Sequence, residues 1–278
     1  MAITGGIKFF KKQKNLLING ASAVASNNSD IANYILNNNK YVRWETDGSD
    51  DLTTENITVT FDSATIDRLF LVNMNFKEFT VKYDVGGVPT DFANIIGING
   101  SVATINETDF VQDTAYYEFD SVTTTKIYIT VTKTQIANQE KLLERLICTE
   151  EIGTLEGFPE IDGEELDQNI EREETLSGNA DLQKRLEVFN CQISFKRYVA
   201  NQNDYDIMRS LDQSVESFLI WLCGGKFGKS FSVERENWLL RNIYLVQTSS
   251  KFNFKWNRNI YIAGYNGKLK FEQSTDIR

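Results

Sequence analysis

The sequence predicts an all-β (mainly β) protein made of two β-sandwiches in series, the second with one flanking helix. Short runs of β-branched and aromatic residues alternate with polar turns through most of the 278 residues, which is typical of sheets. Residues 203–211 form the one clear helical pattern, with Asp204 as the predicted cap. After residue 150 the chain becomes acidic and rich in glycine turns, so we place one sandwich at 14–149 and the second at 150–278.

Residues 1–13 are interpreted as an N-terminal arm. Gly5 and Gly6 favour flexibility, and Phe9 and Phe10 are the part that could dock on a neighbour. Four lysines at this end are typical of a solvated basic segment: Lys8, Lys11, Lys12 and Lys14.

The first sandwich opens with a helical turn at Ile31–Ile35 and continues as short strands. Asn56–Phe61 alternates apolar and polar residues, whereas Ile66–Val72 is apolar almost throughout, which indicates a strand covered on both faces. A turn is predicted at Asp62-Ser63 between them. Residues 135–147 have apolar spacing that suggests a short helix, although Ile147-Cys148 could begin a strand. The remaining predicted strands are Phe79–Tyr83, Ile95–Ile98, Ser101–Ile105, Ala115–Phe119 and Lys126–Val131.

The second sandwich is predicted from a similar series of segments. Asp162-Gly163 is a strong hairpin-turn signal, and Phe218–Leu222 is a wholly apolar strand. The other predicted strands are 171–176, Leu182–Tyr198, Trp238–Val246, Lys251–Trp256 and Asn259–Phe271. The aromatic residues of this half are interpreted as core and subunit interface: Trp221, Trp238, Tyr244, Phe252, Phe254, Trp256, Tyr261 and Tyr265.

The composition argues against several classes of function. The chain has no histidine, which removes the commonest general base and imidazole metal ligands. Its three cysteines, Cys148, Cys191 and Cys223, form no CxxC pair, so we expect buried free thiols in a reducing cytoplasm. A net charge of −10 argues against nucleic acid and anionic membranes as partners. No signal peptide or membrane span is predicted, and we predict no catalytic residues, cofactor or metal.

Two segments of the chain invite a ligand-binding interpretation. Residues 223–230, CGGKFGKS, are similar to a phosphate-binding loop, but that motif needs glycine where Cys223 stands. We interpret the segment as a loop between strands, with Lys226 and Lys229 at an assembly interface with an acidic neighbouring subunit. The second segment is an acidic loop at 45–51.

The acidic loop and the tryptophan before it are the candidate ligand-facing residues of the first half. Asp47, Asp50 and Asp51 could hold Ca²⁺, but EF-hand spacing is missing, so a solvated acidic turn is favoured. A hydrolytic carboxylate pair is the weaker alternative. Trp44 is interpreted as a core residue with Arg43 hydrogen-bonded inside the sandwich, and sugar stacking on Trp44 is the alternative.

The first half resembles the discoidin (F5/8 type C, galactose-binding-like) family. The matching pieces are Ala21–Ala23, Ala32–Ile35, Val42–Thr46, Ile57–Phe61 and Ile66–Val72. The chain departs from the family at Phe61-Asp62-Ser63, where members have Asp-Leu-Gly, and it lacks their cysteine pair. The resemblance implies a jelly-roll sandwich that either binds sugars or lipids through loops at one end or serves as a packing module.

The second half resembles tail-tube and distal-tail (baseplate) proteins of tailed phages and contractile injection systems. The resemblance rests on the order of an acidic strand pair, the long Leu182–Tyr198 strand, the helix and the terminal strands. It implies a tail-tube-like sandwich that forms rings whose long hairpins line a tube.

Together the two resemblances imply a non-enzymatic structural subunit of a phage or phage-like tail or baseplate. Such a subunit would form a homo-oligomeric ring, contact other tail, baseplate or tail-tube proteins, and carry an outward discoidin-like domain. It would fold in the bacterial cytoplasm and reside in the virion. The alternative is a carbohydrate-binding adhesin or receptor-recognition module.

Overall fold

The computed structural model describes residues 6–38, 42–157, 159–174, 180–222, 240–259 and 262–274. The protein is all-β, as predicted, and the strands of these described residues form a 10-stranded sheet and an 8-stranded sheet. Two 3₁₀ helices, Leu17–Asn19 and Ser29–Leu36, precede the long strands, and α1 is the α-helix Gln202–Gln213.

The strands, in chain order, are β1 (Lys8–Lys11), β2 (Ser22–Ala25), β3 (Trp44–Glu45), β4 (Glu55–Met74), β5 (Phe76–Val85), β6 (Val88–Thr90), β7 (Ile95–Gly97), β8 (Gly100–Val102), β9 (Asn106–Glu107), β10 (Ala115–Thr134), β11 (Leu142–Thr149), β12 (Glu151–Thr154), β13 (Glu160–Glu174), β14 (Ala180–Ala200), β15 (Phe218–Trp221), β16 (Ile243–Thr248), β17 (Asn253–Asn259) and β18 (Ile262–Gln273).

The first sandwich is organised around two 20-residue strands, β4 and β10, which pair antiparallel along most of their length. The predicted turn at Asp62-Ser63 is wrong, because β4 runs through these residues without a break. A register shift between Glu118 and Val122 on the partner strand accommodates the irregularity. One edge of β4 pairs first with β2 and farther along with β11, so the sheet folds over a single apolar core.

The segment predicted as a helix within 135–147 is instead a turn followed by β11. The leucines of that segment are at helical spacing, but they pair with the end of β4, where Leu143 lies opposite Met74. The helical spacing of the apolar residues does not decide the structure here, because pairing with the open edge of β4 stabilises a strand instead.

The predicted N-terminal arm is also corrected, because residues 8–11 form β1, an inner strand of the second sheet. It pairs with β12 on one side and β15 on the other. Its two phenylalanines are fully buried on opposite faces: Phe9 contributes to the core of the second sandwich and Phe10 to a cluster between the two sandwiches.

That cluster between the sandwiches is a second apolar layer, which we call the seam. Leu69 and Leu71 face the core of the first sandwich, whereas Phe70 and Val72 face the seam. Its members are Phe10, Phe70, Val72, Tyr116, Ile147, Leu219, Trp221, Leu240, Ile243 and Leu245. The prediction that Ile66–Val72 is covered on both faces is confirmed. One face packs in the core of the first sandwich, and the other face packs against the second sandwich.

Ion pairs border the seam. Lys8 Nζ lies 2.9 Å from Glu118 Oε1, which also accepts a hydrogen bond from the Tyr116 hydroxyl at 2.9 Å. Arg68 pairs with Glu151 across the same boundary. Burial, with the Glu118 charge, raises the pKa of Tyr116 well above its ordinary value. The two sandwiches are therefore joined by a packed interface rather than by a linker.

The second sheet has the order β12-β1-β15-β16-β18-β14-β13, with β17 also pairing with β18. The hairpin turn predicted at Asp162-Gly163 is wrong. β13 passes through these residues with a register shift, and Glu174 lies opposite Ala180 at the far end of the pair. Among the described residues, β14 pairs with β18 through 190–195 and at Ala200 only. The far part of the β13–β14 pair therefore extends as a two-stranded ribbon.

Helix α1 confirms the predicted helix, but its cap is Asn201. The Asn201 side chain accepts a hydrogen bond from the Asp204 amide at 2.7 Å. The buried Asp204 carboxylate instead accepts from the amides of Glu156 and Gly157, at 2.7 and 3.0 Å. Burial raises the pKa of Asp204 despite these bonds. This residue therefore ties the helix to the segment that follows β12.

Candidate functional site

Trp44, one of the candidate ligand residues, lies in the core. Its side chain is 0% exposed, and its indole N–H donates to the Asn27 carbonyl at 3.1 Å. A ring without exposed surface cannot stack on a sugar. Arg43, expected inside the sandwich, is exposed and pairs with Glu45 at 2.8 Å.

The carboxylates of the acidic loop do not converge on one point. Asp47 is exposed, while Asp50 Oδ1 accepts from the Leu52 amide and the Thr53 hydroxyl, at 2.9 and 3.1 Å. Asp51 Oδ1 accepts from the amide and the hydroxyl of Thr134, both at 3.0 Å. Burial acts to raise the pKa of Asp51, but the hydrogen bonds outweigh it and the pKa is lowered.

The cation of this loop is a lysine from the same chain. Lys141 is 0% exposed, and its ammonium donates to Ser49 Oγ at 3.0 Å and to the Asp50 carbonyl at 2.6 Å. Burial lowers the pKa of Lys141, and the charges of Glu55, Asp51 and Asp50 oppose that shift. The ammonium thus supplies the charge that a Ca²⁺ ion would bring. Across the part of the chain that the structure describes, no cluster of three or more acidic, histidine or cysteine side chains could hold a metal.

A polar cleft lies elsewhere, where the two sandwiches join. It has a volume of ≈ 500 Å³ and is open to solvent. The middle of β4 forms one wall, and the segments that connect the sandwiches form the other. Its polar lining residues are Lys14, Asn19, Asp62, Ser63, Thr65 and Glu150.

The cleft combines donors and acceptors in a small space. Glu150 lies 3.0 Å from the Lys11 ammonium and 3.7 Å from that of Lys14. Thr65 shares a hydrogen bond with Thr123 at 3.1 Å. Asp62 and Asn19 are exposed at the mouth. Such a set can hydrogen-bond a ligand that carries both donors and acceptors on neighbouring atoms.

Sequence reasoning missed this cleft because its residues are far apart in the chain. The sequence predicts a turn at Asp62-Ser63 and a solvated basic segment that includes Lys14. The departure of Phe61-Asp62-Ser63 from the family pattern was the one signal at the right place.

A second exposed feature lies on the other sandwich, at β17. Trp256 is 52% exposed and packs edge-on against Tyr265, with ring centroids 4.8 Å apart. Tyr265 in turn stacks on Tyr205 from α1 at 3.9 Å. Trp256 therefore belongs to the part of this aromatic set that lies outside the core.

Three other sequence predictions concern the 223–230 loop, the cysteines and membrane spans. Lys226 and Lys229, with the whole of 223–230, lie outside the described residues. The expectation of buried free thiols is confirmed for Cys148 and Cys191, and Cys223 lies outside the described part. Within the described ranges, no helix is long and apolar enough to span a bilayer.

Comparisons with known proteins give distant structural similarity only. No family model matches the chain, and no curated protein matches it. Among solved structures, chitosan-binding module 1 of a Paenibacillus sp. IK-5 chitosanase/glucanase is 15% identical over 50% of this chain and 98% of that module, with a TM-score of 0.39. The family 32 carbohydrate-binding module of Clostridium perfringens NanJ, solved with galactose, is 15% identical over 52% of this chain and 99% of the module, with a TM-score of 0.37. At these values the similarity assigns neither a ligand nor a site to this chain.

Proposed function

We propose that the protein is a non-enzymatic carbohydrate-binding protein whose site is the polar cleft beside Asp62. The observation that carries the proposal is the lining of that cleft, where a carboxylate, an amide, hydroxyls and an ammonium group surround a space of ≈ 500 Å³. Ligand sites fall in the range of about 300–1,000 Å³ and are mostly apolar. A mainly polar lining therefore favours a polyhydroxylated ligand.

The charges around the cleft also fit a neutral sugar better than an ion. Glu150 is balanced by Lys11 and Lys14, so the walls present a mixture of donors and acceptors rather than a field of one sign. Vicinal hydroxyls of a pyranose both donate and accept, so they can use Asp62 and Asn19 at once.

The test is a broad glycan array probed with the full chain, followed by calorimetry with the glycan that binds best. Asp62→Asn should weaken that glycan by about 10–100-fold, because a hydrogen bond to a charged group contributes about 1.5–3 kcal/mol. Asp109→Asn is the matched control, since Asp109 is an exposed aspartate that pairs with Lys77 on another part of the sandwich. Silence across the array, or equal affinity for the two variants, would contradict the proposal.

A second proposed role is self-assembly through the second sandwich, as the resemblance to tail and baseplate proteins implies. The supporting observation is the β13–β14 ribbon, which extends beyond the strands that flank it in the sheet. An isolated two-stranded ribbon is marginal in water, so such a ribbon is best stabilised by neighbours. A tail or baseplate subunit in a virion is the biological setting that we propose for this role. Electron micrographs of the full chain at high concentration should show rings or tubes, and a uniform field of monomers would contradict it.

A further inference from the structure

Strand β17 presents an exposed aromatic side chain held in a fixed orientation. Trp256 is 52% exposed, which is unusual for so large an apolar residue. Its ring rests against Tyr265, which hydrogen-bonds to Gln202 of α1 at 3.0 Å. Because the contact with Tyr265 already restricts the rotamers of Trp256, little side-chain entropy remains to be lost when Trp256 binds a partner. Braced tryptophans of this kind are typical of binding hot spots.

Within the described part of the chain, the backbone of β17 is paired on one side only. It pairs with β18 from Asn253 opposite Lys268 to Asn259 opposite Ile262, and with no other strand of the described chain. An edge strand presents unpaired N–H and C=O groups that can pair with another strand. Its charge is positive, because residues 251–259 contain two lysines and one arginine and no acidic residue.

The other border of the same sheet is an edge of opposite charge. β13 pairs only with β14 in the part of the chain that is described. Its sequence, EIDGEELDQNIEREE, contains eight acidic residues and one arginine. Within one molecule β13 and β17 cannot meet, because β14 and β18 lie between them, and three strand spacings amount to about 14 Å.

We propose that β17 of one copy pairs with β13 of the next copy, with Trp256 at the centre of the contact. This inference rests on the second proposed role, self-assembly, and it names the two surfaces involved. The two edges have complementary backbone groups and opposite charges, so the occupant of β17 is a second copy of this chain. Two different patches make the contact, so it is heterologous and repeats into a closed ring or a filament.

The test uses two full-length double variants with the wild type as reference. Trp256→Ala with Lys255→Ala removes the hot spot and one positive charge on β17, and it gives this edge no negative charge that could attract the charge-reversed β13. Glu171→Lys with Glu173→Lys reverses two charges on β13. Mass is measured by light scattering over a concentration series. Circular dichroism and thermal unfolding establish that each variant is folded, and Leu52→Ala is the control for losing an exposed apolar side chain, since Leu52 is 92% exposed on the first sandwich.

A heterologous contact predicts different masses for each double variant alone and for the two variants mixed. Each double variant alone should associate at least about 100-fold more weakly than wild type, as loss of a hot spot implies. An equimolar mixture should form 1:1 dimers and nothing larger, because it contains one intact pair of edges per two chains. Wild-type assemblies that persist in either variant would overturn this inference but leave self-assembly standing. A wild-type chain that stays monomeric at the highest concentration would overturn both.

Discussion

Replacing Trp221 by alanine should show whether the two sandwiches fold as one unit. Trp221 is buried in the seam, with ring centroids 4.6 Å from Tyr116 and 5.3 Å from Phe70. Truncating a buried tryptophan costs about 3–5 kcal/mol, and each aromatic contact contributes about 0.5–1.5 kcal/mol within that loss. This is a large share of a total stability of about 5–15 kcal/mol.

We expect Trp221→Ala to change both the midpoint and the number of unfolding transitions. With the seam weakened, the two sandwiches should lose their coupling, and the single cooperative transition of the wild type should split into two. Differential scanning calorimetry, with urea unfolding followed by circular dichroism, measures both effects.

Trp221→Phe is the matched control for this experiment. Phenylalanine keeps most of the apolar contact but removes the indole N–H that donates to the Leu240 carbonyl at 3.3 Å, which should cost about 1 kcal/mol. A Trp221→Ala protein that loses less than about 1 kcal/mol, or whose single transition is unchanged in shape, would refute the reasoning that the seam joins the sandwiches.

Three further predictions concern other parts of the structure. Lys8→Met should destabilise the protein by about 1–3 kcal/mol, because it leaves the Glu118 carboxylate with the Tyr116 hydroxyl but without its cationic partner. Urea unfolding measures this, and an unchanged midpoint would contradict it. Asp204→Ala should lower the free energy of unfolding by about 1–3 kcal/mol for each amide left unpaired, those of Glu156 and Gly157. A thermal midpoint equal to that of wild type would contradict a stabilising role for these two hydrogen bonds. The lowered pKa of Asp51 means that its stabilisation is present above the ordinary aspartate pKa and is lost as pH falls through the folded-state pKa. The protection factor of the Thr134 amide, which is its exchange rate relative to an unfolded chain at the same pH, should therefore fall across that acidic range in wild type but not in Asp51→Asn.

The fold class and most strand positions could be predicted from the sequence because alternation is a local signal. Ile57, Val59 and Phe61 alternate with polar residues, and all three are buried in the core of the first sandwich. A pair of glycines is an equally local signal: Gly86 and Gly87 have positive φ, 59° and 90°, and join β5 to β6.

The errors occur where long-range packing decides the structure. Phe9 and Phe10 sit between glycines and lysines, and nothing in so short a segment shows that it fills a gap between β12 and β15. The continuous apolar run of β15 could be assigned to a strand buried on both faces, but not to a seam with the other sandwich. Trp221 acquires its partners only through that docking.

The candidate site could not be predicted for the same reason. Lys14, Asp62 and Glu150 come together because β4 continues without a break past the junction of the sandwiches. The acidic loop is conspicuous in the sequence because its acidic residues lie within seven positions of one another. In the structure the Asp51 carboxylate accepts from Thr134, and the Asp50 carboxylate accepts from Leu52 and Thr53.

The measurement that tests the central claim most directly is amide hydrogen exchange of the full chain with and without its best-binding glycan. A site in the polar cleft predicts slower exchange at residues 14–20 and 62–65 in the complex. Protection at the 46–51 loop or around Trp256, with no change at 62–65, would contradict the proposed site. A glycan that binds without protecting any part of the first sandwich would contradict the assignment of carbohydrate binding to that sandwich.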